Sequence, residues 1–406
     1  MNRDINSILD TLKKTIDATM DLEAKRFNES YGWVNTKVYP LTGLEKNDKN
    51  HIITLIQGRA LEAITEHLDF YKHQQNMDNP DLEVLYKQGT TLYKRIDKLV
   101  SDYRHVPLHT DANGKATSEI GNEISMNDLF CSKGLYAWNV NYRTKEETEI
   151  ARDRLFCKVE ETLTCNSGIF EDRMVGISAM SLILKYEQKR EAFELGKRLV
   201  DYIFEKHYNS GQWPYLPYGA ITYFIDEDDK PLIKDGKLAF SPGDNMQFAG
   251  LTSQFILRAK ELSFITEEDK MWMDNVADKL THLIDTCYEL SFVEKYGFHM
   301  WTDGLTGNPI DPRMGWWEVA EAMRGDILTS SIAKRNSDVL FEKGLELMEV
   351  FQEQYVSKSP IGIAVQQLEP DGSAVKIVPN NPDIDAGYHT GLTHIAVFNL
   401  LSKNFV

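Results

Sequence analysis

Apolar residues return every three or four positions through most of this chain, and that spacing leaves little room for anything but packed helices. From Asn50 to Lys72 they fall at Ile52, Ile53, Leu55, Ile56, Leu61, Ile64 and Leu68, which puts one continuous stripe on a helix of six turns. The same period predicts helices over 1–26, 50–72, 81–103, 124–142, 145–163, 172–186, 189–207, 245–263, 267–289, 316–333, 337–356 and 388–401. With almost no long strand signal between them, the chain reads as all-α.

A second pattern recurs between helices: a glycine, an alternating aromatic segment, then a turn rich in Asp, Gly and Pro. Gly211-Gln-Trp-Pro-Tyr leads to the segment Thr222 to Leu232. Gly297 to Pro309 and Gly362 to Ser373 repeat the pattern, and Tyr31-Gly-Trp-Val-Asn before Pro40-Leu-Thr-Gly43 is a reduced version. Alternation followed by such a turn predicts β-hairpins. Helix pairs joined at one end by short hairpins predict an α/α toroid, with six pairs using the twelve helices. The expectation is one domain, 1–406, an (α/α)6 barrel whose pocket lies where the inner helices begin.

Composition narrows the partners. Across 406 residues Asp+Glu number 62 against 45 Lys+Arg, a formal charge of −17, and no basic run breaks the balance. Binding a polyanion needs clustered cations that release its counterions, so nucleic acid and anionic membrane surfaces are disfavoured. No window reaches the roughly 18 apolar residues of a membrane span, and Met1 to Met20 mixes charge with Ile and Leu, unlike a signal peptide. Cys131, Cys157, Cys165 and Cys287 are scattered without a CxxC pair, which suits a reduced compartment and suggests no zinc site. A cytoplasmic protein, monomer or homodimer, is expected.

Several residues stand out against this background. Arg59 lies among Leu55, Ile56, Ala60 and Leu61, where a guanidinium is costly unless it meets an anion or polar ligand. A core carboxylate such as Glu62 or Asp128 would satisfy it equally well. In Ser241-Pro-Gly-Asp244-Asn-Met-Gln247, Asp244 suits a helix N-terminus, while Asn245 and Gln247 add more polar groups than a cap needs. Glu321 follows Trp317 by four, so an aromatic and a carboxylate can share one helix face, a combination that suits a sugar. A core Trp and a capping Glu is the competing reading. His389, behind Gly387 and Tyr388 at the mouth of the last helix, can approach a ligand and titrate near neutrality. His394 lies five residues on, which does not make an HxxxH metal pair. His299, between Phe298 and Met300, is a pocket-edge contact or a surface residue.

These motifs, in this order and spacing, resemble the N-acylglucosamine 2-epimerase family, which includes the cellobiose 2-epimerases and the mannose and sulfoquinovose isomerases. The resemblance rests on Gln57-x-Arg59, the segment Tyr223 to Leu232, Pro242-Gly243, Trp316-Trp317-x-x-x-Glu321-Ala322 and Tyr388-His389, and spans roughly residues 30 to 400. It implies an (α/α)6 barrel, a small-molecule sugar or oligosaccharide as substrate, and no cofactor. It also implies that Arg59 orients the sugar oxygens and that His389 exchanges a proton at C2 of the ring-opened sugar. Two departures matter. Asp244 and Gln247 stand where the family carries a histidine and a glutamate, and Asp172-Arg173-Met174 stands where it carries His-Met-His. Asp244 is thus the candidate second base, with Glu321, Trp317, Gln247, His299 and Tyr388 shaping the pocket. The alternative is an inverting glycosidase or a lyase on the same barrel, pairing Asp244 with Glu321 or Asp303. A sugar-binding relative that has lost catalysis is a third reading.

Overall fold

The computed structural model describes residues 4–39, 41–43, 49–74, 80–165, 168–376 and 385–405. Pro40 and the first three residues, parts of two expected elements, lie outside them. The described residues form twelve α-helices. In chain order they are α1 (Ile5–Arg26), α2 (Thr54–His73), α3 (Pro80–Asp102) and α4 (Met126–Tyr142), followed by α5 (Lys145–Thr164), α6 (Glu171–Glu187), α7 (Arg190–Lys206) and α8 (Pro242–Ala259). Then come α9 (Glu267–Ser291), α10 (Trp316–Ser330), α11 (Ser337–Val350) and α12 (Thr393–Phe405). All twelve expected helices are present. Where the sequence carries a cap, the start is sharp: Ser125 and Asp128 close a capping box on α4, Thr144 and Glu147 on α5, and Thr266 and Asp269 on α9. No helix among the described residues is long and apolar enough to cross a membrane.

The chain divides into two compact units, one of Met1–Cys165, Pro360–Ile363 and Ile377–Val406, the other of Asn166–Ser359 and Ala364–Lys376. In the first, α2 and α4 are buried on nearly every side, whereas α5 buries a stripe of Thr148, Ala151, Leu155, Val159 and Thr162. The two central helices touch backbone to backbone: a Cβ on Gly58 would lie 2.5 Å from the Phe130 carbonyl carbon, and one on Gly134 would lie 2.6 Å from the Gly58 oxygen. That approach brings the residue after Gly58, Arg59, beside Phe130.

The second unit repeats the contrast. Helices α6, α8 and α10 are buried almost throughout, and α7 buries one stripe through Leu195, Leu199 and Ile203. Each of those three side chains contributes about 2 kcal/mol of transfer free energy. A six-stranded antiparallel sheet accompanies them. Its central strand, Gly297–Asp303, pairs with Pro309–Gly315 in the register His299 to Met314 and Trp301 to Asp311, and with Lys237–Phe240 through Ala239 and Phe240.

The expected hairpins are realised unequally. Gly297 to Pro309 forms one as its alternation requires. Gly362 to Ser373 yields only the short strand Gln367–Leu368 and a bridge from Leu368 to Ala374. The segment Thr222 to Leu232 makes one internal bridge, Ile225 to Pro231, across a turn in which Asp226 accepts the Asp228 and Lys230 N–H groups, and a second from Phe224 to Ile169. The two-stranded turn comes later, between Ile233–Lys234 and Lys237–Phe240. There Asp235 and Gly236 both have positive φ, 52° and 72°, the geometry a tight hairpin demands.

Candidate active site

In the first unit, Arg59, Tyr388 and His389 come together although 330 residues separate the arginine from the histidine. Arg59 Nη1 lies 3.4 Å from His389 Nε2, and its guanidinium covers the Phe130 ring at 4.3 Å and the Tyr388 ring at 5.1 Å. Neither carboxylate that competed for Arg59 in the sequence takes it. Glu62 is paired with Lys133 at 2.8 Å, both buried, and Asp128 caps α4 while receiving the Val106 N–H and lying 3.6 Å from Lys158. Among the described residues Arg59 has no carboxylate partner, and its buried Nε has no hydrogen-bond partner. An arginine can only donate, so in this geometry the His389 Nε2 is an acceptor and its lone pair faces Arg59.

The last helix starts in a way that fixes this histidine. Gly387 takes φ +83°, and Tyr388–Leu392 forms a π turn before α12 begins at Thr393. Asp385 accepts the N–H groups of Tyr388 and His389 on one oxygen and of Thr390 on the other. The expected helix at 388–401 therefore opens one turn wider than an α-helix, and such turns often sit at functional positions. His394 is fully buried, donates from Nδ1 to the Thr390 carbonyl at 2.7 Å, and is pushed down by burial to a pKa of about 4.

The second unit holds the other candidates. Ser241 is the N-cap of α8 and its hydroxyl donates to Asp244 at 2.5 Å, so Asp244 stands three residues inside the cap and is buried. Gln247 donates to Glu321 at 3.2 Å, and Arg324 donates to the other Glu321 oxygen. Trp317 packs at Gly243, where a Cβ would meet its ring at 2.7 Å. The capping glutamate of α10 is Glu318, which accepts the Gly315 N–H at 2.7 Å. Burial pushes Glu318 well above the usual carboxylate range; the Gly315 N–H opposes this and the Asp244 carboxylate adds to it. Arg173 is fully buried, donates to the Ile169 carbonyl and covers the Tyr202 ring at 4.8 Å.

His299 and Asp303 occupy the central strand of the sheet. His299 Nδ1 donates to the Pro312 carbonyl at 3.0 Å within the hairpin. Asp303 closes the hairpin end: burial works against its charge, but the Leu238 and Leu305 N–H groups and the Thr306 hydroxyl hold it below its ordinary value. Both are thus engaged by their own hairpin.

Sequence reading missed Phe130, Lys133, Asp385 and Glu318. A signal existed for Lys133, a lysine inside the apolar run of α4, the same anomaly that exposed Arg59. Asp385 stands two residues before Gly387, a capping distance that passed unused.

No protein-family model matches the sequence, and no curated protein matches it. Solved structures do match. A sugar epimerase from a ruminal bacterium superposes with a TM-score of 0.76 at 15% identity, covering 97% of this chain and 99% of that one. The cellobiose 2-epimerase of Bacillus thermoamylovorans gives 0.73 at 13%, with 97% and 100% covered. A D-mannose isomerase gives 0.72 at 15%, with 96% and 97% covered. The likeness expected from motif order is therefore present in three dimensions, and the chain has the (α/α)6 barrel fold of these sugar epimerases and isomerases.

Proposed function

We propose that this protein is a carbohydrate-active isomerase or epimerase that transfers a proton at C2 of a ring-opened sugar. The observation that carries the reading is the pairing of Arg59 with His389 Nε2 at 3.4 Å, with no carboxylate on the guanidinium among the described residues. A proton beside a carbonyl becomes abstractable once the developing enediolate oxygen meets a fixed cation. Arg59 offers the cation, and once a sugar oxygen takes over its N–H the His389 Nε2 lone pair is released to take the proton. The rings of Phe130 and Tyr388 hold the guanidinium from its faces and leave its edge for oxygen.

One base suffices to move hydrogen between C2 and C1, which converts an aldose to a ketose. Inversion at C2 needs a second group that returns a proton from the opposite face. Asp244 is the candidate, and it would serve only if its surroundings raised its pKa toward neutrality. Isomerisation is accordingly the simpler reaction for these residues. The three relatives compared are named for sugar epimerisation and mannose isomerisation, which supports the same class.

Hydrolysis by paired carboxylates has less support. Of the acids that would partner Asp244, Glu321 is held by Arg324 and Gln247, and Asp303 is spent on its hairpin. The test is to incubate the protein with D-mannose, D-glucose and cellobiose and follow products by NMR. The proposal expects a C2 epimer or ketose, lost in His389→Ala. Cleavage of the disaccharide that survives His389→Ala and disappears in Asp244→Asn would replace this reading with hydrolysis, and no turnover of any sugar would leave a binding protein.

A further inference from the structure

Beneath the His389 turn lies a buried acid and imidazole that the proposed chemistry does not use. Glu23 on α1 is 3% exposed and His67 on α2 is fully buried; Glu23 Oε2 lies 3.7 Å from His67 Nδ1. Neither Glu23 oxygen nor His67 Nε2 has a hydrogen-bond partner among the described residues, although His67 Nδ1 donates to the Ala63 carbonyl at 2.8 Å. Leaving three such polar atoms unsatisfied is costly, so something in the fold has to justify it.

The two glycines that bracket His389 lie directly on this pair. A Cβ on Gly387 would sit 1.3 Å from Glu23 Oε1, and one on Gly391 would sit 2.3 Å from His67 Cε1 and 2.8 Å from its Nε2. A Cβ at either position would force the side chain beneath it to shift. The spacing of four residues places both on the same side of the π turn, with His389 midway and its ring at Arg59. Asp385 holds the N–H groups of the turn from its open end, so the turn is gripped at its mouth and seated along its side.

We propose that Glu23 and His67 are positioning residues for His389: the pair forms the seat of the Gly387-Tyr388-His389-Thr390-Gly391 turn and sets where its imidazole meets Arg59. The inference rests on reading His389 as the proton-transfer group, but its geometry can be tested without any sugar. Burial, and then the nearby Asp385 carboxylate, raise Glu23 well above the usual carboxylate range. That direction favours the protonated acid, of which glutamine is the isostere.

The experiment is NMR of the full chain labelled with 15N-histidine, on Glu23→Ala and Glu23→Gln. The seat predicts that Glu23→Ala shifts or broadens the His389 ring signals and that Glu23→Gln returns them to the wild-type positions. On whichever sugar is turned over, Glu23→Ala should lower kcat about 100-fold, the cost of a misplaced catalytic group, with KM nearly unchanged. Gly391→Ala should have the same effect by pressing on His67. Unchanged ring signals in Glu23→Ala or in Gly391→Ala, or no return in Glu23→Gln, would overturn the proposal. If no sugar reacts, the ring signals still decide it, so failure of the seat and failure of the isomerase reading give different results.

Discussion

The polar residues around His389 and those around Glu321 are built on opposite principles. Around His389 a half-buried arginine faces an imidazole and two aromatic rings with no described carboxylate to balance it, and the Glu23 carboxyl and the His67 Nε2 beneath it lack hydrogen-bond partners among the described residues. Around Glu321 the carboxylate is held on one oxygen by Gln247 and on the other by Arg324, and Asp244 is tied to Ser241. A neutralised array costs little to keep and holds its shape. An unbalanced one costs stability, and it is retained where a ligand or a transition state completes it. On this contrast we propose chemistry for the first group and framework for the second.

The largest effects should therefore come from the unbalanced group. His389→Ala and Arg59→Ala are each expected to lower kcat by about 1,000-fold while the thermal midpoint changes little, as rates and melting curves on the same samples would check. Equal losses from Gln247→Ala would erase the contrast. Next comes stability. Lys133→Met takes the ammonium away from the buried Glu62 and should cost about 3 kcal/mol in denaturant unfolding, much of it recovered when Glu62→Gln is added.

Acid should then weaken the fold through two buried imidazoles. Burial lowers His207 and His394 to about 4 from an ordinary 6.5, so the unfolded chain binds more protons than the folded one between those values. Their contribution is complete above pH 6.5 and is lost as pH falls through 4. His207→Gln should flatten that slope in unfolding curves measured from pH 7 to 4. The smallest effect expected is that of Gln247→Ala, about 1 kcal/mol from one lost buried hydrogen bond, with kcat reduced less than tenfold.

The helices were legible because their signal is local: each buried stripe repeats within one segment, and caps such as Thr144 and Thr266 mark the starts. The hairpin at Thr222 to Leu232 was misplaced because aromatic alternation was weighed above Asp235-Gly236, the pair whose positive φ angles make the turn. Arg59 was legible as an anomaly but its partner was not, because the choice among Glu62, Asp128 and His389 depends on where α4 and the last helix pass. Lys133 takes Glu62 and the α4 cap takes Asp128, and only then does Arg59 remain for His389. Glu23 and His67 left no trace in sequence, since each looks like an ordinary polar residue on its own helix.

The most direct test of proton transfer by His389 beside Arg59 is exchange in heavy water. Wild-type protein incubated with D-mannose, D-glucose or cellobiose in D2O should place deuterium at C2 of at least one of them, and His389→Ala and Arg59→Ala should each remove that incorporation. Deuterium entering at the wild-type rate in His389→Ala, or entering none of the sugars with the unaltered protein, would contradict the account.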